Sequence, residues 1–297
     1  MIAGSFLWAI FTVIAAAGQT ARNALQRGLT QTVGTVGATL VRFLFGLPFA
    51  AVFLACVMLW TKEPLPPVTA AFLLWALAGA VTQVAATALM LMAMNERSFV
   101  VTIAYIKTEP VLVAVFGLIF LGDRLTPMSA VAILIATLGV MMMSWTKSAG
   151  NPPLRPLVYG ITAAALFGLS AVSFRGAIRS LELRDFVMAA TFSLTIGLLI
   201  QTLLLSVYLL LFDRRSLKAI LREWRPSLFA GFMGAAASQF WFLGFSLTSA
   251  ANVRTLALIE VLFAQFVTRG IGEKTSAREI AGILMVVSGI IFLLWAH

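Results

Sequence analysis

The chain has 297 residues, of which 61% are hydrophobic and 11% are charged, and its mean hydropathy is +1.01. A soluble domain carries about 25% charged residues, so this composition excludes an ordinary water-soluble fold and predicts an all-helical integral membrane protein. The net charge of +10 indicates membrane topology and lipid contact, not nucleic-acid binding. With one cysteine (Cys56) and one histidine (His297), the sequence offers no internal disulfide, zinc site or histidine-based triad.

Ten apolar segments have the length that a helix needs to cross about 30 Å of hydrocarbon. The predicted spans cover residues 2–21, 36–60, 68–93, 99–121 and 127–146, and then 156–178, 186–211, 227–248, 252–271 and 276–296. Between the two groups, Gly150 and the nearby Pro152, Pro153 and Pro156 interrupt the helical pattern. The sequence therefore predicts two five-helix units, residues 1–148 and 153–297.

One connection differs from the short loops between the other spans. In residues 213–227, four apolar side chains fall on one helical face and basic side chains crowd the remainder; the apolar ones are Leu217, Ile220, Leu221 and Trp224. This pattern predicts a short amphipathic helix on an anionic membrane surface, with a solvated basic loop as the alternative.

The second half repeats the first. Four residues recur 150 positions later as Gly272, Glu273, Gly289 and Trp295; the first copies are Gly122, Asp123, Gly139 and Trp145. Thr82-Gln83 recurs as Ser238-Gln239 at a spacing of 156. An odd number of spans in each repeat turns the second half upside down relative to the first, so we predict two inverted five-helix repeats, an arrangement typical of transporters.

Short motifs at matching places carry a family resemblance. Leu121-Gly122-Asp123-Arg124-Leu125-Thr126 resembles the "LGE-R-L-T" signature of the EamA branch of the drug/metabolite transporter superfamily, and Ile271-Gly272-Glu273-Lys274-Thr275 resembles its second copy. Thr108-Glu109-Pro110 resembles the proline-bearing fourth span of that family. Two departures stand out: Asp123 replaces the usual Glu, and Glu260-Val261 stands where a proline is expected.

The resemblance covers the whole chain and implies a ten-helix transporter of small metabolites, often an exporter. It implies that spans one to four and six to nine surround a central cavity. Family members handle amino acids, nucleobases, riboflavin, drugs and other solutes, so the resemblance does not fix the substrate. We expect a multi-pass protein of the plasma membrane (the bacterial inner membrane), as a monomer or homodimer.

Ionisable side chains inside the spans indicate where solute binds. A charge at the bilayer centre costs roughly 2.5–3.5 kcal/mol, so it normally faces a cavity or a partner. Span four contains Tyr105, Lys107, Glu109 and Pro110 within six residues. Lys107 and Glu109 are two positions apart and poorly placed to pair with each other, so each needs a substrate, a proton or a charge on span nine. We predict that this cluster binds substrate; structural ion pairing is the alternative.

Span nine contains the second charged cluster. Glu260, with Arg254 six residues earlier, would mirror Lys107 and Glu109 from the opposite half. A carboxyl group in a low-dielectric cavity can exchange protons near neutral pH. Glu109 and Glu260 are therefore the candidates for proton coupling, and a purely structural role is the alternative.

Four further residues are predicted to contact substrate, each with a structural alternative. Arg42 would neutralise Glu109 or bind a substrate carboxylate, unless it snorkels to the surface. Gln83 and Gln239 occupy equivalent repeat positions and would line the cavity or bond helix to helix. Trp241 would stack on a planar or apolar substrate or face lipid. We predict no catalytic residue, metal or cofactor.

Together these patterns predict a secondary transporter, not an enzyme, that exports a small organic metabolite by alternating access. An amino acid or similar zwitterion is favoured, and proton coupling is open. The rivals are a channel-like pore and, least favoured, a membrane-embedded enzyme. Counted together with the adjoining span ends, the odd-numbered connections hold 13 Lys and Arg and the even-numbered ones six. This bias favours external termini, whereas the resemblance implies internal termini.

Overall fold

A computed structural model of the chain describes residues 6–96, 102, 105–144, 154–263 and 276–296, and every regular element within those ranges is helical. The helices are α1 (Leu7–Leu44), α2 (Leu47–Thr61), α3 (Ala70–Glu96), α4 (Glu109–Phe116), α5 (Pro127–Ser144), α6 (Leu154–Ser180), α7 (Phe186–Phe212), α8 (Arg214–Arg222), α9 (Trp224–Leu247), α10 (Ala250–Leu256) and α11 (Ala277–Trp295). A π-helical turn, Gly117–Leu121, continues α4.

Six stretches of these helices are long and apolar enough to cross a membrane, and two shorter apolar helices, Glu109–Leu121 and Pro127–Met143, accompany them. An all-helical membrane architecture is thereby confirmed. The total of ten crossings stays a prediction, because parts of spans one, four, five and nine lie outside the described residues.

α1 is longer than any predicted span because it contains span one, the predicted connection and the first part of span two. Gly34 has φ 71° and ψ 173°, a backbone conformation that is essentially restricted to glycine. The Gln26 side-chain amide donates to the carbonyl of Ala38 at 3.0 Å, although twelve residues of straight helix would rise about 18 Å. The chain therefore folds back at Gly34. The predicted connection at residues 22–35 was wrong, since residues 22–33 are helical.

The predicted spans four and nine are both broken near their centres. Helical backbone is interrupted at Lys107-Thr108 before α4 and at Ala257-Leu258 after α10, and it resumes at 259–263. The two breaks are 150 residues apart, which is the spacing of the sequence repeat. Pro110 in the first turn of α4 accounts for the first break because it lacks an N–H group. The second break forms without a proline.

Helices of the two halves pack against each other in an exchangeable pattern. α3 lies along α6, α1 lies along α9, and α5 lies along α11. When equivalent spans are exchanged between the halves (one with six, three with eight, five with ten), the α3–α6 contact becomes the α9–α1 contact. The α5–α11 contact is unchanged by that exchange. The packing therefore has the pairing expected of a two-fold repeat.

The amphipathic segment is helical, as its pattern predicts, and forms α8. The Asp213 carboxylate caps α8 by accepting from the backbone N–H of Ser216 at 3.1 Å. The hydroxyl of Ser216 also donates to this carboxylate at 2.5 Å, and this hydrogen bond lowers the pKa of Asp213. Ile220 is fully buried, so one side of α8 packs on the bundle.

Repeated glycines lie at the contact between α5 and α11. A Cβ atom on Gly139 would come within 2.8 Å of the Gly282 carbonyl oxygen, and a Cβ atom on Gly289 would come within 2.8 Å of the Ala132 carbonyl oxygen. Small residues let two helix backbones approach closely where the membrane supplies no hydrophobic driving force. The recurrence of glycine at these two positions thus reflects one shared helix contact.

We expect Gly139→Ala to destabilise the protein by about 1–3 kcal/mol, because the new methyl group meets backbone atoms that cannot turn away. Thermal unfolding of the purified protein in detergent measures the effect. Gly28→Ala is the matched control, since nothing lies within 4 Å of a Cβ atom there, and it should be neutral or slightly stabilising. Equal unfolding temperatures for the two variants would contradict the close α5–α11 contact.

Candidate functional site

A small central cavity lies where both halves meet. Its described lining consists of Gln19, Arg22, Asn23, Arg42, Gln83, Met90, Ile106, Lys107, Glu109, Phe167, Trp241, Arg254 and Glu260. The cavity volume is only about 20 Å³, enough for about one water molecule. The site is nearly filled by its own polar and charged side chains.

Two ion pairs cross the site from one half of the chain to the other. Lys107 pairs with Glu260, and the Nε atom of Arg254 lies 3.0 Å from Oε1 of Glu109. All four side chains are less than one-tenth exposed. Each half therefore supplies one cation and one carboxylate, and each cation meets the carboxylate of the opposite half.

The two broken spans bring these four charges together. Lys107 lies at the first break, Glu109 is in the first turn of α4, and Arg254 is in the last turn of α10. A carboxylate at a helix start and a cation at a helix end both interact favourably with the helix dipole. Glu260 follows the second break. Discontinuous helices thus place these four charges at the centre of the bundle.

The carboxylates keep unused hydrogen-bonding capacity. Although Glu109 and Arg254 are in ion-pair contact, the N–H of Arg254 Nε does not point at the carboxylate oxygen, so neither Glu109 Oε1 nor Arg254 Nε has a hydrogen-bond partner in the described part of the chain. Glu260 Oε2 also lacks one there. Buried polar atoms normally find partners, so the two carboxylate oxygens have capacity to accept a hydrogen bond and the Arg254 N–H has capacity to donate one.

Trp241 holds Arg254 in place. The guanidinium carbon of Arg254 lies 4.5 Å from the centre of the Trp241 ring, within the range of a cation–π contact. The indole N–H donates to the Gln19 side chain at 3.1 Å. Trp241 lines the cavity, as predicted for a residue that stacks on substrate. In this conformation, however, Arg254 lies over its ring.

Two arginines of the first half also line the cavity. Arg22 is 2% exposed and Arg42 is 3% exposed, so Arg42 does not snorkel to the surface. Arg22 donates from Nε and Nη2 to Oδ1 of Asn23, at 3.3 and 2.8 Å. Arg42 donates from Nη1 to the hydroxyl of Thr87 at 3.2 Å. Sequence reasoning missed Arg22 because it assigned residue 22 to a connection, although residues 22–27 contain neither proline nor glycine.

The two equivalent glutamines have different surroundings. Gln83 lines the cavity and accepts from the side-chain amide of Gln201 at 2.7 Å. Gln239 is not among the cavity-lining residues, and its amide donates to the hydroxyl of Thr191 on α7 at 2.7 Å. The sequence left cavity lining and helix–helix hydrogen bonding open for both glutamines, and Gln239 forms the helix–helix hydrogen bond.

Tyr105 also lies away from the cavity lining. A Cβ atom on Gly160 of α6 would come within 2.6 Å of the Tyr105 Cβ atom, so Tyr105 packs closely against that helix. The predicted site residues that the structure brings to the cavity are Arg42, Gln83, Lys107, Glu109, Trp241 and Glu260.

Another charged cluster, formed by Asp123, Arg175 and Arg179, joins the halves away from the cavity. Asp123 accepts from Arg175 at 3.1 Å and from Arg179 at 3.2 Å. Arg175 also donates to the backbone carbonyls of Phe245 and Thr248. The helical segment from residue 109 to 121 rises about 18 Å, which separates this cluster from the central cavity. The counterpart of Asp123 in the repeat, Glu273, lies outside the described residues.

The fold and the charged central site define a polytopic membrane protein with a repeated architecture. The sequence model of the EamA-like transporter family matches residues 1–145 and again residues 154–295. The chain belongs to that family, as its short motifs indicate, and the family comprises membrane transporters of small molecules rather than enzymes. A multi-pass protein of a lipid bilayer is therefore confirmed.

Other comparisons add the fold alone. No curated protein matches the chain. One matching solved structure, a crystal structure described only as that of a protein, has a TM-score of 0.70 and 14% sequence identity, and the match covers 99% of both chains. At that identity the likeness concerns the course of the backbone and not the solute.

We expect Glu260→Gln to lower the free energy of unfolding by about 3 kcal/mol or more, because it leaves the buried Lys107 without its partner. Adding Lys107→Met should recover most of the loss, since both charges are then gone. Denaturant or thermal unfolding in detergent provides the measurement. Glu96→Gln is the control: its partner Arg155 is 70% exposed, so the change should cost less than about 1 kcal/mol. Equal costs at both sites would contradict a buried central pair.

Proposed function

We propose that this protein is a secondary transporter that moves a small organic metabolite across the plasma membrane by alternating access. The observation that carries the proposal is the crosswise ion pairing of Lys107 with Glu260 and of Arg254 with Glu109. Export is the favoured direction on the basis of the family resemblance. A solute with both positive and negative groups, such as an amino acid, is the starting expectation.

Alternating access is supported by the symmetry of the breaks and of the packing. Both halves carry a helix break at the same repeat position, and exchange of equivalent spans reproduces the contacts between α3 and α6 and between α1 and α9. If the second repeat is inverted, the two halves can rock about a fixed central site and open to either side in turn.

The crosswise pairs couple this rocking to the solute. Separation of a buried ion pair without compensation costs about 3–5 kcal/mol. A solute carboxylate that meets Lys107 or Arg254, and a solute cation that meets Glu109 or Glu260, would provide that compensation. Protonation of either carboxylate would also remove an attraction between the halves, which makes both groups candidates for proton coupling.

The Asp123 cluster is proposed as a gate at one membrane face. Arg175 ties the loop after α4 to the carbonyls of Phe245 and Thr248, so it connects the first half to the second. Opening of the cavity toward this face would break these hydrogen bonds, while opening toward the other face would leave them intact.

The transport proposal is tested by counterflow in proteoliposomes, with an unbiased metabolite mixture inside and labelled candidates outside, with and without a pH gradient. We expect saturable counterflow in the wild type and its loss in folded Glu109→Gln, because the variant removes a charge that solute or proton uses. Thermal unfolding establishes that this variant is folded, since the change leaves Arg254 without its partner. Glu96→Gln is the matched control on an exposed carboxylate. Wild-type flux of Glu109→Gln at every pH, or single-channel currents in place of counterflow, would refute the carrier mechanism.

The gate is tested by labelling of a reporter cysteine. In a Cys56→Ser background, Ala251→Cys places a thiol at a buried position lining the second, 120 Å³ cavity that Asp123 also lines. We expect Arg175→Gln to raise its labelling rate with a membrane-impermeant maleimide severalfold, because the halves then separate more often at this face. Arg179→Gln, which removes a half-exposed contact, should have a smaller effect. Unchanged labelling in Arg175→Gln would rule out the gate.

A further inference from the structure

We propose that the transported solute is a small organic anion with two negative charges, bound by Arg22 and Arg42. This inference rests on the proposed transporter function and names the substrate class of the same site. It departs from a zwitterionic solute, which the sequence alone favoured.

The charge balance of the cavity supports an anion. Its described lining contains four cations, Arg22, Arg42, Lys107 and Arg254, and only two carboxylates, Glu109 and Glu260. The crosswise pairs use both carboxylates. Neither Arg22 nor Arg42 forms an ion pair with any residue in the described ranges. A buried cation without an anion is strongly unfavourable, so the lining has a formal excess of two positive charges that a ligand can balance.

The hydrogen bonds of the two arginines leave donors free. Asn23 holds Arg22 through Nε and Nη2, and Nη1 of Arg22 is buried without a partner among the described residues. Thr87 holds Arg42 through Nη1, and Nε of Arg42 is likewise unpartnered. Each guanidinium group is thus fixed on one side by a neutral residue and keeps an unused N–H donor. Carboxylate and phosphate oxygens are the groups that arginine binds best.

A glycine of the second half brings the two arginines side by side. A Cβ atom on Gly234 of α9 would come within 3.3 Å of Arg42 Cγ and 3.5 Å of Arg22 Cδ, so both side chains pass the same point on that helix. Two cations carried by neighbouring side chains repel each other in a low-dielectric interior. An anion that contacts both guanidinium groups would relieve this repulsion.

The shared chemistry is that of a dianion, whether its charges come from two carboxylates or from one phosphate monoester. A solute of net charge zero would leave the two excess positive charges uncompensated. A dianion bound by Arg22 and Arg42 balances them and does not replace either carboxylate of the Lys107–Glu260 and Arg254–Glu109 pairs, which can form again once it is bound. Since the cavity holds about one water molecule in this conformation, the anion enters only after the halves separate.

Binding to the purified full-length protein tests the inference. We expect succinate, glycerol 3-phosphate or both to bind. Leucine and putrescine should bind more weakly by a factor of about ten at least, or not at all. Arg42→Gln and Arg22→Gln should each weaken dianion binding about tenfold or more, and Arg42→Lys should recover part of the loss. Arg155→Gln, on the exposed surface, is the control. Thermal unfolding of each variant establishes that it is folded.

Gly234→Ala offers a second variant that keeps every charge. Its methyl group should displace the Arg42 stem and weaken dianion binding severalfold. If the arginine variants fail to fold, the wild-type solute panel and Gly234→Ala decide the question. Leucine or putrescine binding as tightly as the dianions, or no binding of either dianion, would overturn the inference. Wild-type affinity for the dianions in folded Arg22→Gln and Arg42→Gln would also overturn it. If neither of these variants folds, wild-type affinity in Gly234→Ala would do the same.

Counterflow separates this inference from the proposed function. Counterflow of leucine without counterflow of dianions would sustain a transporter and refute the anion. Arginine-dependent dianion binding without counterflow of any solute would sustain the anion site and refute transport.

Discussion

A cation buried within the membrane-spanning bundle is stabilised by a nearby anion, and for Lys107 and Arg254 this protein supplies that anion from the opposite half of the chain. Lys107 depends on Glu260, and Arg254 depends on Glu109. Because neither half compensates its own charges, the centre of the bundle is stable only when the two halves meet. In the proposed mechanism the same dependence makes the interface responsive, since a proton on Glu109 or Glu260, or a charged ligand, weakens the attraction between the halves.

The remaining architecture serves this interface. Breaks at Lys107-Thr108 and Ala257-Leu258 bring the four charges together, while glycines at the α5–α11 contact let these two helices pack closely. Arg22 and Arg42 add positive charge that the crosswise pairs do not balance. Both carboxylates of the site are thus paired across the halves, but two positive charges remain unbalanced. The proposed anionic ligand would balance them.

Charges within apolar spans were recognisable from the sequence because each is costly in lipid, and this singled out Lys107, Glu109 and Glu260. Arg22 escaped because the first predicted span ended at residue 21, whereas the helix continues to Gly34. Gln83 and Gln239 show the opposite difficulty: they are equivalent in the repeat, yet only Gln83 lines the cavity. Helix rotation and local neighbours decide such cases, and neither is encoded in hydropathy or spacing.

The amino-acid sequence by itself determined the membrane setting, the family, the repeat and the spans that carry charge. These follow from composition, from apolar length and from motifs along the chain. Only the tertiary structure decided that Lys107 and Glu109 each pair with a residue of the opposite half. It also decided that the Arg22 and Arg42 side chains both pass Gly234, and that Trp241 contacts Arg254. The physical reason is that a buried charge is stabilised by whatever lies a few ångströms away, and that neighbour is set by folding over more than a hundred residues.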